Sequence, residues 1–192
     1  MVDNWITTYR GRKVDIFHLT EEDIDINDIA HSLALQCRFV GHCLIPYSVA
    51  EHCILVADVV GKELANNYTG TVEAANRTCL TALLHDAAEA YIGDMSRYFK
   101  HHPALKFIVE LEQQILGTLG RKFNLDGADW QLIKKADGIV LATEAEHLMA
   151  DSGKGWHLPE SALPGSVMRD LQIGRDPEVK FLEKFEEFGG KY

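Results

Sequence analysis

At 192 residues, with 46% apolar and 25% charged side chains, the chain has the length and composition of one globular core. A formal charge of −10 repels polyanions, which excludes extended binding to DNA or RNA but leaves room for a small anionic substrate in one locally positive pocket. No apolar run approaches a bilayer span and Met1-Val2-Asp3-Asn4 does not open a signal peptide, so a cytoplasmic protein with no membrane partner is expected.

Residues 5–17, WITTYRGRKVDIF, alternate around Gly11-Arg12 and predict two short strands joined by a tight turn. The acidic linker LTEEDIDIND follows, and a first helix is expected to start near Asn27 or Asp28, where an Asx side chain can cap the free N–H groups. Gly41 and Pro46 mark a loop. Ser48 and Glu51 then read as a capping box for a second helix running towards Tyr68, with His52 in its first turn. A third helix from about Thr71 carries its apolar pattern up to His85-Asp86. Gly93 breaks regularity, so GDMSRYFKHH is expected as a loop.

Pro103 suits the start of a fourth helix with a core stripe of Leu105, Ile108, Leu111, Ile115 and Leu119. After a turn at 124–129, a fifth helix buries Leu132, Ile133, Ala136, Val140 and Met149 and sets Asp137 beside that face. Residues 151–165 hold three Gly and two Pro and predict an irregular loop. Asp176-Pro177 caps and starts a last helix, whose EKFEEF stretch reads as solvated and amphipathic, closed by Gly189-Gly190. The sum is a mostly α single domain over 1–192, a helical bundle with a short N-terminal β-hairpin and a motif-bearing core at about 27–150. Cys37, Cys43, Cys53 and Cys79 lack C-x-x-C spacing, which argues against a zinc ribbon, and read as reduced packing residues.

The chemistry-bearing stretch is ALLHDAAEAYIGDMSRYFK, residues 82–100. His85 and Asp86 are adjacent, and Glu89, one turn on, would share their helical face. With His52 and Asp137 from two other helices, these supply two neutral nitrogens and two carboxylate oxygens, a donor set suited to a divalent ion. Each residue alone has a plainer reading. A lone His on an apolar helix is more often a satisfied core residue, and Asp137 could pair with Lys134 or Lys135. Glu89 could only hold a ligand, Arg38 could pair with acids of the 21–28 linker, and Lys100 could be a solvated loop charge. His31, His42, His101, His102, His147 and His157 read as structural or surface residues, with His42 and His101 the first exceptions to consider.

With His52, His85-Asp86 and Asp137 in chain order, the sequence resembles the HD-domain metal-dependent phosphohydrolases. HDAAEAYIGDMSRYFK, YSVAEHCILVA and KKADGIVLA are similar to the three blocks of YfbR-type 5'-deoxynucleotidases. DIDINDIAHSLALQCRFVGHCLIPYSVAEH resembles phage dATP triphosphohydrolases of the DatZ kind. The resemblance covers roughly residues 5–149. It implies metal ligation by His52, His85, Asp86 and Asp137, catalytic roles for Glu89 and Asp94, and phosphate contacts from Arg38 and Lys100. Phe39 stands at a substrate-binding position where the nucleotidases carry Trp, able to stack but not to donate an indole N–H, and MSRYF stands where they carry P-x-P. Cobalt, manganese or zinc is the implied cofactor, with magnesium as an additional phosphate-bound ion, and a homo-oligomer the implied assembly. The expected activity is hydrolysis of a 2'-deoxynucleotide at its 5'-phosphoester, giving deoxynucleoside plus triphosphate from dATP. A deoxynucleoside 5'-monophosphatase is the alternative, and a non-catalytic nucleotide-binding regulatory module the alternative of another class. An HD hydrolase of cyclic nucleotides or alarmones would share the ligands and break a different bond.

Overall fold

The computed structural model describes residues 5–100, 102–165 and 176–192, with the side chains of Arg97 and Tyr98 left out. Met1-Val2-Asp3-Asn4 and His101 therefore lie outside the described residues. Strands β1 (Ile6–Thr7) and β2 (Lys13–Val14) pair antiparallel, Ile6 opposite Val14, across a turn at Gly11 whose φ of 79° suits a residue without Cβ. The hairpin is tied to helix α1 (Ile26–Leu35) by the Arg10 N–H, which donates to Asp28 at 2.7 Å. The N-cap of α1 is Asp25, accepting from the Asn27 N–H, rather than Asn27 or Asp28. Asp28 is instead buried and serves the hairpin. The helix thus begins one residue before the expected cap, and Ile26, Ile29, Ala30 and Leu33 form its core stripe.

After α1 the chain runs extended. Arg38 N–H donates to the Tyr47 carbonyl and Val49 N–H to that of Gln36, an isolated bridge that closes the 39–46 loop and fixes Arg38 beside the next helix. Helix α2 (Val49–Asn67) starts with the expected capping box: Glu51 N–H donates to Ser48 Oγ, and Ser48 N–H to Glu51 Oε2. Its first two turns are buried all round, as a central helix requires, and α1, α3 (Val72–Leu83), α7 (Trp130–Leu148) and α8 (Pro177–Glu187) pack on it.

The third helix departs from expectation at its end. Helix α3 stops at Leu83, and residues 84–88 tighten into turns, with Ala87 N–H donating to Leu84 O and Glu89 N–H to Asp86 O. His85 and Asp86 therefore do not share a helix with Glu89, which opens the short α4 (Glu89–Ile92). Gly93, at φ 83°, ends α4, and α5 (Arg97–Lys100) interrupts what was expected to be loop. A 3-10 turn at Pro103–Leu105 leads into α6 (Lys106–Lys122), where Leu111, Ile115 and Leu119 are buried but Leu105 and Ile108 only half so. On α7, Ile133, Ala136 and Val140 are buried as expected. Leu132 and Met149 are half-buried, and Leu148 fills the core instead.

The last helix is capped by Asp176 with Pro177 at its start, as the sequence predicts. Its EKFEEF stretch is not merely solvated: Phe185 is fully buried, as is Phe181 one turn before it, and Phe185 meets Phe123 edge-on at 5.2 Å. Cys53 and Cys79 are buried packing residues, whereas Cys37 is exposed because the chain has left α1 by then. The protein is mostly α-helical with a small two-stranded N-terminal hairpin. Among the described residues no helix is long and apolar enough to cross a membrane.

Candidate metal centre

The capping box sets His52 one turn inside α2, fully buried, with its ring aimed at the 84–88 turns. Its Nε2 lies 3.3 Å from His85 Nε2, 3.6 Å from Asp86 Oδ2 and 3.3 Å from Asp137 Oδ1. His85 Nε2 is 3.2 Å from Asp86 Oδ2. His52, His85 and Asp86 offer ligand atoms within 4.8 Å of one another. Asp137, whose side chain is 45% exposed, joins from α7 through its approach to His52 and sits at the open side.

The remaining ring nitrogens are committed elsewhere. His52 Nδ1 is 2.7 Å from Glu144 Oε1, and His85 Nδ1 is 2.7 Å from the Ala82 carbonyl. Both acceptors require Nδ1 to carry a hydrogen, which in neutral imidazole leaves each Nε2 as a lone pair. Two lone pairs and a carboxylate oxygen then face one another at 3.2–3.6 Å, an arrangement that a proton or a metal cation between them would relieve. The donor set, two imidazoles and two carboxylates, fits a divalent transition metal.

The electrostatics agree. Burial works against protonating His85, yet the adjacent Asp86 carboxylate lifts it well above the usual imidazole range. His52 is also raised, because Glu144 and Asp137 outweigh its burial and the repulsion from Arg38. Asp86 is held well below the carboxylate range despite burial, by His85, His52 and Arg38. The pocket favours added positive charge, and protons and metal compete for the same lone pairs.

The other expected residues surround this cluster. Arg38 pairs with Glu144 at 3.1 Å and Asp86 at 3.7 Å, not with the 21–28 linker, and its Nε is buried without a partner among the described residues. Lys100 is no solvated loop charge, since it bridges Glu89 at 3.2 Å and Glu112 at 2.7 Å. Burial, reinforced by Asp86 and Asp94, pushes the Glu89 carboxyl up to about 8 against the pull of Lys100. Its Oε2 is buried without a hydrogen-bond partner among the described residues. The Asp94 N–H donates to Gln36 Oε1, and Gln36 Nε2 donates to the Glu89 carbonyl, so one amide holds both ends of α4. Phe39 is half-buried, its ring centroid 5.3 Å from the Arg38 guanidinium carbon.

Glu144, Gln36 and Glu112 are absent from the residues that the sequence singles out. Glu144 carried a usable signal: it falls two turns after Asp137 on the same face of α7. Gln36 and Glu112 reach the site only through tertiary packing. His42 is exposed in its loop, and His31 is structural, held 2.8 Å from Glu178 and stacked on Tyr9.

The chain is 34% identical over 165 residues to the uncharacterized protein YfdR of Escherichia coli (strain K12), covering 86% of this chain and 83% of that one. It is 35% identical over 186 residues to the uncharacterized protein RCAP_rcc00048 of Rhodobacter capsulatus, covering 92% and 90%. No family model matches the chain.

Proposed function

We infer that this chain, which belongs to the family of YfdR and RCAP_rcc00048, is a metal-dependent phosphohydrolase of the HD type acting on a 2'-deoxynucleotide. The observation that carries the reading is the convergence of His52 Nε2, His85 Nε2 and Asp86 Oδ2, with Asp137 at the open side and both Nδ1 atoms tied off. These four residues would hold a divalent cation, which would supply a Lewis acid to acidify a water and offset charge on phosphate.

The chain's own residues account for the remaining work. Arg38, fixed in direction by Glu144, presents a planar guanidinium beside Asp86 for a phosphate oxygen. Lys100 holds Glu89 Oε1, which leaves Oε2 to take a proton from the attacking water. In the metal-free protein burial and Asp86 raise the Glu89 carboxyl to about 8, so the residue holds a proton readily and can return it to the leaving group. Asp94, set by Gly93 and Gln36, raises the basicity of Glu89 by its charge. The proton ends on the leaving O5' of the nucleoside.

The favoured substrate is dATP, cleaved to deoxyadenosine and triphosphate; a deoxynucleoside monophosphate giving orthophosphate is the alternative. Incubating the protein with dATP and dAMP plus Co²⁺ or Mn²⁺, and resolving triphosphate from orthophosphate, separates the two. Turnover should vanish in His85→Ala. Binding of nucleotide with no product from any metal would replace the enzyme by a regulatory module. A cytoplasmic homo-oligomer belongs to the same proposal, and light scattering of the purified protein tests the assembly.

A further inference from the structure

Residues 151–165 form an excursion that runs along α7 and back. Gly153 packs against Ala145, Glu160 lies over Gly138, and Leu163 N–H donates to Thr143 Oγ1 at 2.9 Å. A Cβ on Gly138 would meet Glu160 Cγ at 2.9 Å, so glycine lets the excursion press down beside Asp137. On its outward leg the excursion brings Trp156 to Phe39, ring centroids 5.8 Å apart and planes inclined by 56°. Phe39 in turn lies 5.3 Å from the Arg38 guanidinium carbon, and Arg38 reaches Asp86. Two non-glycine residues in succession, Phe39 and Val40, hold φ of 55° and 56°, the left-handed region that β-branched side chains avoid. Such conformations persist where the surroundings over-determine them, and they cluster at ligand clamps. The two rings are in tilted contact with each other, too close to admit a base between them, and both remain partly exposed.

The geometry points to Trp156 and Phe39 as the two sides of a shallow aromatic cleft, on whose exposed ring surface the nucleobase of the substrate stacks while Arg38 holds the phosphate end. A flat π-system beside a phosphate grip recognises a nucleotide and discriminates against a sugar phosphate lacking a base. The inference rests on the phosphohydrolase reading for its substrate class, and its test separates the two.

The first arm uses Trp5→Phe and Trp130→Phe together, which leaves Trp156 as the sole tryptophan of the three in the chain. Both replaced residues are exposed. Titration with dAMP should quench Trp156 fluorescence, whereas deoxyribose 5-phosphate should not. No quenching by dAMP, or equal quenching by both, overturns the cleft. The second arm compares Trp156→Ala with wild type on the nucleotide that turns over. KM should rise about 5- to 150-fold, the range that base stacking spans, with the loss in KM rather than kcat. Trp156→Phe should recover most of it, and inhibition by deoxyribose 5-phosphate should not change. Turnover with a KM indifferent to Trp156 sinks the cleft and leaves the hydrolase standing. Quenching by dAMP in a protein that hydrolyses no nucleotide sinks the hydrolase and leaves the cleft. The fluorescence arm decides the matter by itself if Trp156→Ala does not fold.

Discussion

Glu144 offers the sharpest perturbation of the metal centre, because it supplies no candidate ligand atom and yet orients a residue that does. It is fully buried, accepts from His52 Nδ1 at 2.7 Å, and pairs with Arg38 at 3.1 Å. Glu144→Gln keeps the shape and an acceptor for His52 but removes the charge. Replacing a charge-assisted hydrogen bond by a neutral one costs about 1–2 kcal/mol. At His52 that translates into metal binding weaker by about 5- to 30-fold, at the lower end of the range known for partners of metal-bound histidines. Glu144→Ala is expected to be worse in another way. It leaves a buried guanidinium with only Asp86, 3.7 Å away, and should cost about 3–5 kcal/mol of stability. Cobalt titration followed by visible absorption, with a competing chelator, reads the first effect, and urea unfolding reads the second. Wild-type cobalt affinity in Glu144→Gln would refute the view that this carboxylate fixes His52 for a metal.

Further outcomes follow from the same geometry. Glu89, whose carboxyl is raised to about 8 from 4.5 in the metal-free protein, binds its proton more tightly when folded. Its contribution to stability is full below about pH 4.5 and is lost as pH rises through about 8. Urea unfolding from pH 5 to 9 should therefore show a decline that Glu89→Gln flattens, and parallel curves for the two proteins would count against a protonated Glu89. Phe185→Ala should cost about 3–5 kcal/mol in the same assay, since it empties a fully buried site between α8 and Phe123. A melting temperature unchanged by that substitution would make α8 peripheral. Cys37 is exposed and should react first with a thiol reagent, while buried Cys53 and Cys79 wait for unfolding and Cys43, pushed up to about 11 mainly by burial, lags. Fast labelling of Cys53 would contradict the packing of α2.

The sequence announces helices wherever local chemistry sets their ends. Ser48 with Glu51 and Asp176-Pro177 cap as the sequence predicts, and Thr71 and Asp129 prove to be the caps of α3 and α7. It misleads where tertiary contacts decide. The apolar pattern continues through Leu84, yet the chain tightens there, and the His85 ring bonds back to Ala82. Alternation of Phe and acid in EKFEEF resembles a solvated face, and the packing of α8 on α1, α2 and α3 turns Phe185, with Phe181 one turn before it, into core. At the site, His52, His85 and Asp86 come together and Asp137 approaches His52. Their supports do not show in the sequence. Gln36 lies beyond the end of α1, and Glu112 looks like one more charge on an amphipathic helix until Lys100 reaches it. Trp156 belongs to a stretch with no regular pattern, and only the fold carries it back to Phe39.

The central claim is a metal held by three segments of the chain, and a crystal soaked with Mn²⁺ addresses it without reference to turnover. Diffraction at the manganese edge should give an anomalous peak about 2.0–2.2 Å from His52 Nε2, His85 Nε2, Asp86 Oδ2 and an oxygen of Asp137. That peak should be lost in His85→Ala. A protein that folds normally, takes up no manganese at this cluster, or binds it at other residues, would contradict the account.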